Sequence, residues 1–542
     1  MPRNSTTGFA GILIPMFLPM FLTACLFCTC TEPQNEHYDR GDSLPGENLL
    51  ERIAAADNLS DFKRLIELAE YDSLLRSGQT FTVFAPVNGS FASINWNTIT
   101  GEEARRIAGN HIARFNISTA IPPDKPVRMI NRKIHAFADG GASFGNARLL
   151  EKDIRAKNGI LHLLETPAPY RYNLYEFIQQ TPATSRLAAF IRSFEENRFD
   201  EEMSIPLDVN EFGQTVYDTV TTFYNRLFDD VLYGGLGAIH LEDSVFTLLA
   251  PSDQAWNAAY EKMKPYFKRY SASPEVADSI QNLQVSLAIL ENLVFRGKQT
   301  AAASLDSILS TSPRGAYMHN PGELFAEAQT VEGSNGWIYL TDNLKYNDAE
   351  TWNKPIIVES DIQEGRTVGP GTAVYTRTAG METEIPVTES RYITVEATST
   401  SVQPEVTFEI PDVLSGAYNI YVEFLPGSID AAPNDSTKVL FALNYMNAAG
   451  RMVTKDVISN TLVTSGTKKV VMEVASNFEF PVSGCYDRLW MMDCYKGLHT
   501  LQERVYSTAL KIKTNVSTTE FNRNTFTRKF RIDRVIFEPV NK

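Results

Sequence analysis

Phe81-Thr82-Val83-Phe84-Ala85-Pro86-Val87-Asn88-Gly89-Ser90-Phe91 reads as a buried strand closed by a proline, then a polar turn, then an aromatic. β-Branched and aromatic side chains fit a packed pleat, and proline brings no N–H to a ladder, so the strand should stop at Pro86. A helix is expected after the turn. Upstream, Leu50, Ile53, Ala54, Phe62, Leu65, Ile66 and Leu68 recur at helical spacing, which predicts short amphipathic helices before the strand. Downstream, Ala156-Lys157-Asn158-Gly159-Ile160-Leu161-His162-Leu163-Leu164-Glu165 places an Asn-Gly pair before an apolar strand. Asn-Gly tolerates positive φ in a tight turn, and Ile160 to Leu164 is expected to pair with the first strand in one core.

The same order recurs later in the chain. Val245-Phe246-Thr247-Leu248-Leu249-Ala250-Pro251-Ser252-Asp253-Gln254-Ala255-Trp256 repeats the strand, proline, turn and aromatic, and Ser334-Asn335-Gly336-Trp337-Ile338-Tyr339-Leu340 repeats the Asn-Gly strand. A proline-ended strand twice followed by a distant Asn-Gly strand is more specific than either motif alone. These stretches resemble the two motifs of the fasciclin family, and Asn110-His111-Ile112 resembles that family's tyrosine-histidine position. The resemblance runs from about Glu47 to Asp348 and implies two α+β modules, 47–170 and 171–350. In the second copy the tyrosine-histidine position is not visible. There Trp337 replaces an aliphatic residue, Tyr339 stands where the histidine would be, and Glu195 to Tyr217 forms a long insert. The family is implicated in adhesion and in binding matrix proteins or glycans, so the resemblance implies a binding role for this chain.

After Trp352 the pattern changes to alternation with period two. Val406, Phe408 and Ile410, then Ile420, Val422 and Phe424, then Val439, Phe441, Leu443 and Tyr445 read as antiparallel strands separated by Gly and Pro turns. The series ends at Phe530 to Pro539, and a jelly-roll sandwich over 351–542 is expected. Its strand texture resembles galactose-binding-like sandwiches, including many carbohydrate-binding modules. Cys485 and Cys494 flank Tyr486, Trp490, Met491 and Met492, and a disulfide between the two would staple that loop in an oxidising compartment. The aromatics either plug the sandwich or contact sugar rings, and no ligand-binding residue is assigned there.

The N-terminus sets the compartment. Met1 to Gly8 is polar with one cation at Arg3, and Phe9 to Phe27 is almost unbroken apolar sequence, as in a secretory signal. Leu22-Thr23-Ala24-Cys25 resembles the bacterial lipobox, which implies a signal peptide over 1–24, lipidation at Cys25 and a tether over 25–46. Cys30, nearer the apolar-to-polar border, is the reserve candidate. An uncleaved membrane helix is the alternative, since about 20 apolar residues span a bilayer. Either way the folded chain is expected outside the cytoplasm, in the cell envelope, anchored to the outer membrane and facing outward as in Bacteroidota.

Composition narrows the function. With 65 Asp plus Glu against 50 Lys plus Arg, the net charge of −15 disfavours nucleic acid as a partner. Gly141-Ala142-Ser143-Phe144-Gly145 fits the G-x-S-x-G pattern of hydrolases but lacks the strand before and helix after it that the motif needs, and it reads as a Gly-rich turn. His37, His111, His135, His162, His240, His319 and His499 are scattered without metal-ligand spacing, so neither metal nor cofactor is expected. Arg40-Gly41-Asp42-Ser43 resembles an integrin-binding tetrapeptide and reads as linker. The expectation is therefore a multi-domain, non-catalytic surface lipoprotein for adhesion or glycan and matrix binding. An accessory subunit of an outer-membrane uptake complex, with a transporter protein as partner, is the alternative. A carbohydrate-active enzyme stands third.

Overall fold

The computed structural model describes residues 46–542 apart from 93, 121–124, 200–204, 211, 219–220, 230–234, 272, 301–305, 313–315, 381–383, 458–460, 485–507 and 541–542. The chain divides into two compact units. One holds residues up to Ala168 except Pro126–Arg128 and Arg132–His135, and the other holds those two stretches and Pro169 onward.

In the first unit, helix Leu49–Ala55 begins at Asn48, whose carboxamide accepts from the Glu51 amide at 2.9 Å while the Glu51 carboxylate accepts from the Asn48 amide at 2.8 Å. This reciprocal box satisfies two N–H groups that a helix start leaves unpaired. Helices Leu49–Ala55 and Ser60–Leu68 bury Leu50, Ile53, Phe62, Leu65 and Ile66. Ala54 and Leu68, read from the sequence as part of the apolar face, lie on the exposed side instead.

The sheet of this unit has the order Ile112–Arg114, Phe81–Pro86, Gly159–Leu164, Ala147–Ala156, Ser143–Phe144, Phe137–Ala138. Phe81–Pro86 runs antiparallel to Ile112–Arg114 and parallel to Gly159–Leu164, pairing Phe81 with Gly159 and Pro86 with Leu164. The strand is buried along its whole length. The residues after Pro86 depart from the expected helix: turns follow, and the next helix among the described residues is Gly101–Gly109. Asp61 and Asn88 pin this turn, with the Asp61 amide donating to Asn88 at 2.9 Å and the Gly89 amide donating to Asp61 at 3.0 Å.

The second unit opens with a repeat of that plan. Asn173 and Glu176 form the same capping box at the start of helix Leu174–Gln180. The sheet order is Val294–Arg296, Phe246–Pro251, Gly336–Thr341, Gln329–Gly333, again with an antiparallel and then a parallel neighbour to the central strand. Here a helix, Asp253–Met263, does follow the proline directly, capped by the Ser252 hydroxyl. The residues 195–225 form the hairpin strands Glu195–Phe199 and Thr221–Asn225, with a second pair at Ile205–Val209 and Thr215–Asp218.

The positive φ expected of the Asn-Gly pairs is found at Gly336, at +154°, and not at Gly159, but both glycines share another purpose. A Cβ there would sit 2.0 Å from the Phe81 carbonyl oxygen, and one on Gly336 would sit 1.8 Å from that of Phe246. Glycine is required because two backbones meet. Asn158 accepts from the Leu49 amide at 2.8 Å and donates to the carbonyls of Leu75 and Ser77 at 2.7 and 3.1 Å. Asn335 repeats this with the Leu174 amide at 3.0 Å and the carbonyls of Ile239 and Leu241 at 2.8 and 3.0 Å. Each carboxamide ties the first helix of its copy to the central sheet.

From residue 356 onward the chain forms two facing antiparallel sheets. One has the order Thr372–Thr378, Arg391–Ala397, Lys529–Pro539, Gly416–Leu425, Val470–Phe480, with Ile356–Glu359 also pairing Lys529–Pro539. The other runs Arg366–Val368, Glu405–Ile410, Thr508–Thr514, Lys438–Met446, Met452–Asp456, with Leu462–Val463 joining Lys438–Met446. The alternating residues Val406, Phe408, Ile410, Ile420, Val422, Phe424, Val439, Phe441 and Leu443 all enter the core between them.

Candidate functional site

Cys25, Cys30, Cys485 and Cys494 lie outside the described residues, as do the N-terminal apolar run, Arg40 to Ser43, and Tyr486, Trp490, Met491 and Met492. The remaining residues singled out by the sequence are placed by the structure.

His111 is buried. Its Nδ1 donates to the Ile107 carbonyl at 2.8 Å and its Nε2 accepts from the Ala168 amide at 3.0 Å. His162 is buried as well, with Nε2 donating to the Ile117 carbonyl at 3.0 Å and Nδ1 accepting from the Asp153 amide at 3.2 Å. Burial holds the His162 imidazole below its ordinary pKa, against the opposing effects of the Ile117 carbonyl and the Asp153 carboxylate. Both rings spend both nitrogens inside the fold as neutral tautomers. Tyr339 occupies the place of His162 in the second copy, pairing with Leu249 as His162 pairs with Phe84, and its hydroxyl donates to the Gln299 carbonyl at 3.0 Å. Ser143 sits in a two-residue strand after the Gly140-Gly141 turn, and its hydroxyl donates to Asp139 at 2.8 Å. That is a hairpin, without the helix a nucleophile elbow needs.

On the outer side of the sandwich, Lys469 joins two carboxylates at 2.7 Å each, Glu423 and the wholly buried Asp533. Burial pushes the Glu423 carboxyl up, but hydrogen bonds and charge from Lys469 and Arg534 outweigh it and hold the group below the usual carboxylate range. These acids are consumed by ion pairing, which orders the sheet surface.

A large concavity lies within the second unit, where residues 265–268 cross the end of the sandwich. The Ser415 amide donates to the Tyr266 carbonyl at 2.8 Å, the Ser415 hydroxyl donates to the Pro265 carbonyl at 3.0 Å, and the Ser483 amide donates to the Lys268 carbonyl at 2.8 Å. The Tyr266 ring also meets Trp352 edge-on at 5.0 Å. Beside this strap opens a cleft of about 820 Å³. Tyr266, Tyr270, Tyr445 and Phe480 line it. Lys268, Asp278, Gln281, Asn447 and Glu479 supply charged and amide groups between them.

Each tyrosine is held in place by its surroundings. Gly450, at φ +73°, comes so close to the Tyr270 ring that a Cβ there would lie 2.1 Å from it, so the ring rests on bare backbone. Tyr270 is still 39% exposed, which leaves part of its surface for a ligand. Tyr445 packs edge-on against Phe478 and Phe480 at 5.2 and 5.8 Å. The Gln281 carboxamide donates to the Lys264 carbonyl at 2.6 Å, and the Asn447 side-chain oxygen accepts from the amides of Ala449 and Arg451, shaping the turn at the rim. A second cavity of about 280 Å³ lies by Phe267 and Leu414, the residues next to the strap's Tyr266 and Ser415.

The cleft was not anticipated from the sequence. Tyr266-Phe267-Lys268-Arg269-Tyr270 carried a signal, three aromatics interleaved with two cations between two helices, but nothing in it says that Tyr445 lines the same cleft.

Residues 57–167 match the family model described as the Fasciclin domain. No curated protein matches the chain. Among solved structures, the FAS1 domain pair of the insect cell adhesion molecule fasciclin I is 14% identical, with 54% of this chain and 98% of that one covered and a TM-score of 0.20. The xylan-binding CBM22-1 domain of Paenibacillus barcinonensis Xyn10C is 10% identical, covering 35% of this chain and 94% of that one at a TM-score of 0.21. A family 35 carbohydrate binding module from Clostridium thermocellum is 11% identical, covering 34% and 99% at 0.18. The Fasciclin match covers the residues of the first unit's sheet and of its helices from Ser60 onward, and the strand pairings of the second unit repeat its plan.

Proposed function

We propose that this chain is an exported, lipid-anchored surface protein that captures a glycan in the cleft between the second fasciclin-like copy and the sandwich, without catalysis. The observation that carries the reading is the set Tyr266, Tyr270 and Tyr445 around an 820 Å³ concavity that also holds acid and amide side chains. A sugar ring offers C–H faces and hydroxyl edges. Aromatic faces take the first and carboxylates and amides take the second, in a concave site that removes both from water. Adhesion through a Fasciclin domain accords with a surface location. The lipobox-like segment at Cys25, with Cys30 in reserve, supports an anchor in the outer membrane, and the partner is then an extracellular glycan.

A glycan-array screen of residues 31–542 beside the Tyr270→Ala variant tests this. Binding of a defined glycan class by the parent, lost in the variant, is expected. Equal binding by both, or none by the parent, would overturn the assignment of the cleft and move the weight to a protein partner such as an outer-membrane transporter.

A further inference from the structure

One position in the first unit is built against the grain of its own fold. Phe115 adopts φ +71° and is 71% exposed. Positive φ is an outlier for a bulky side chain, because Cβ crowds the backbone. Among the described residues it is the only aromatic in that region of φ.

The repeat shows what the backbone requires there. The Thr82 hydroxyl donates to the Phe115 carbonyl at 2.7 Å and accepts from the Ile117 amide at 2.8 Å. In the second copy the Thr247 hydroxyl donates to the Gly297 carbonyl at 2.8 Å and accepts from the Gln299 amide at 2.8 Å. The Phe115 amide donates to the Thr80 carbonyl, and the Gly297 amide to that of Val245, at 2.9 Å each. Gly297 has φ +72°. The two turns are the same turn, and glycine is its unstrained solution.

The first copy therefore carries both backbone strain and an apolar ring in water where the second copy carries neither. Strain of this kind persists where the surrounding structure holds it, here the Thr82 clasp, and it clusters at binding sites. Arg114 and Asn116, on either side of the ring, are exposed, and Arg114 makes no ion pair among the described residues. A protein hot spot is surrounded by occluding neighbours that keep water out. A ring flanked in the chain by an exposed cation and an exposed amide suits a sugar better, with stacking on the ring and a charge-assisted bond from the guanidinium.

We propose that Phe115 and Arg114 form a second binding point, in the first unit, for an anionic glycan bearing carboxylate or sulfate groups. This goes beyond capture in the cleft and does not depend on it.

The test is affinity electrophoresis of residues 31–542 in gels containing polygalacturonate, alginate or chondroitin sulfate, with dextran as the neutral control. The parent should be retarded by at least one anionic polymer more than by dextran, and less so at high salt. Phe115→Gly should weaken that retardation about tenfold or more while leaving thermal stability equal or higher. Arg114→Gln should reduce its salt dependence. Retardation unchanged in Phe115→Gly, or no preference for any anionic polymer by the parent, would overturn the proposal. Binding to a protein ligand alone would do the same.

Discussion

The Fasciclin domain and the copy of its strand plan in the second unit reach one hydrogen-bonding arrangement with different side chains, and the positions that differ are more telling than those that agree. Asn48 and Asn173 cap the first helices, Asn158 and Asn335 tie those helices to the sheet, and Thr82 and Thr247 clasp the same turn. Each of them satisfies backbone groups that the fold would otherwise leave without a partner. His162 and Tyr339 differ, yet each brings a ring and one donor to the same carbonyl position, at Ile117 and Gln299. Where the plan needs only a donor on a ring, chemistry is free to vary. Phe115 against Gly297 is the exception, since the plan favours glycine and the first copy refuses it.

The comparison is broken most severely at the glycines. Gly159→Ala and Gly336→Ala each drive a Cβ into a strand carbonyl and should cost about 4 kcal/mol or more, read as loss of a cooperative transition for the affected copy in chemical denaturation. Mild effects in both would show that the strands do not approach as described. Next come Asn158→Leu and Asn335→Leu, which strand one amide and two carbonyls each and should cost about 3 kcal/mol, equally in the two copies. A large effect in one copy alone would end the equivalence.

The histidine position gives a subtler contrast. His162 binds its proton more weakly in the folded chain than its ordinary 6.5, so the unfolded chain takes up a proton first as pH falls below about 6.5. Stability at this position is therefore complete above that pH and drains as pH falls toward the folded value. His162→Tyr, which copies Tyr339, should flatten that part of the acid dependence of unfolding, followed by fluorescence. An unchanged acid limb would mean that burial does not hold the ring neutral. The smallest effect is at Phe115. Relief of roughly 1–2 kcal/mol of left-handed strain, less the entropy of a freer unfolded chain, should make Phe115→Gly about 1 kcal/mol more stable in calorimetry. Destabilisation would mean that the ring packs in the free protein.

How far the sequence could be read follows the same division. Local signals carried the strands: alternation at Val406 to Ile410 and Ile420 to Phe424 placed the inward residues of those strands, and the proline-ended strands pair with their Asn-Gly partners as expected, in a parallel sense that the local pattern does not specify. The reason for the glycines was missed, because a close approach between strands 78 and 90 residues apart leaves no local trace, whereas a turn does. The helix expected after Pro86 formed only after Pro251, where Ser252 caps it. The cleft was invisible for a tertiary reason: Tyr270 and Tyr445 lie far apart in the chain and line one cleft only in the folded protein, where Ser415 bonds the strap.

The most direct measurement of the central claim is hydrogen–deuterium exchange on residues 31–542 with and without the best-binding glycan from the array. Slowed exchange is expected at residues 265–281 and 445–450, the two segments that line the cleft. Slowed exchange elsewhere, with both segments unchanged, would contradict the claim.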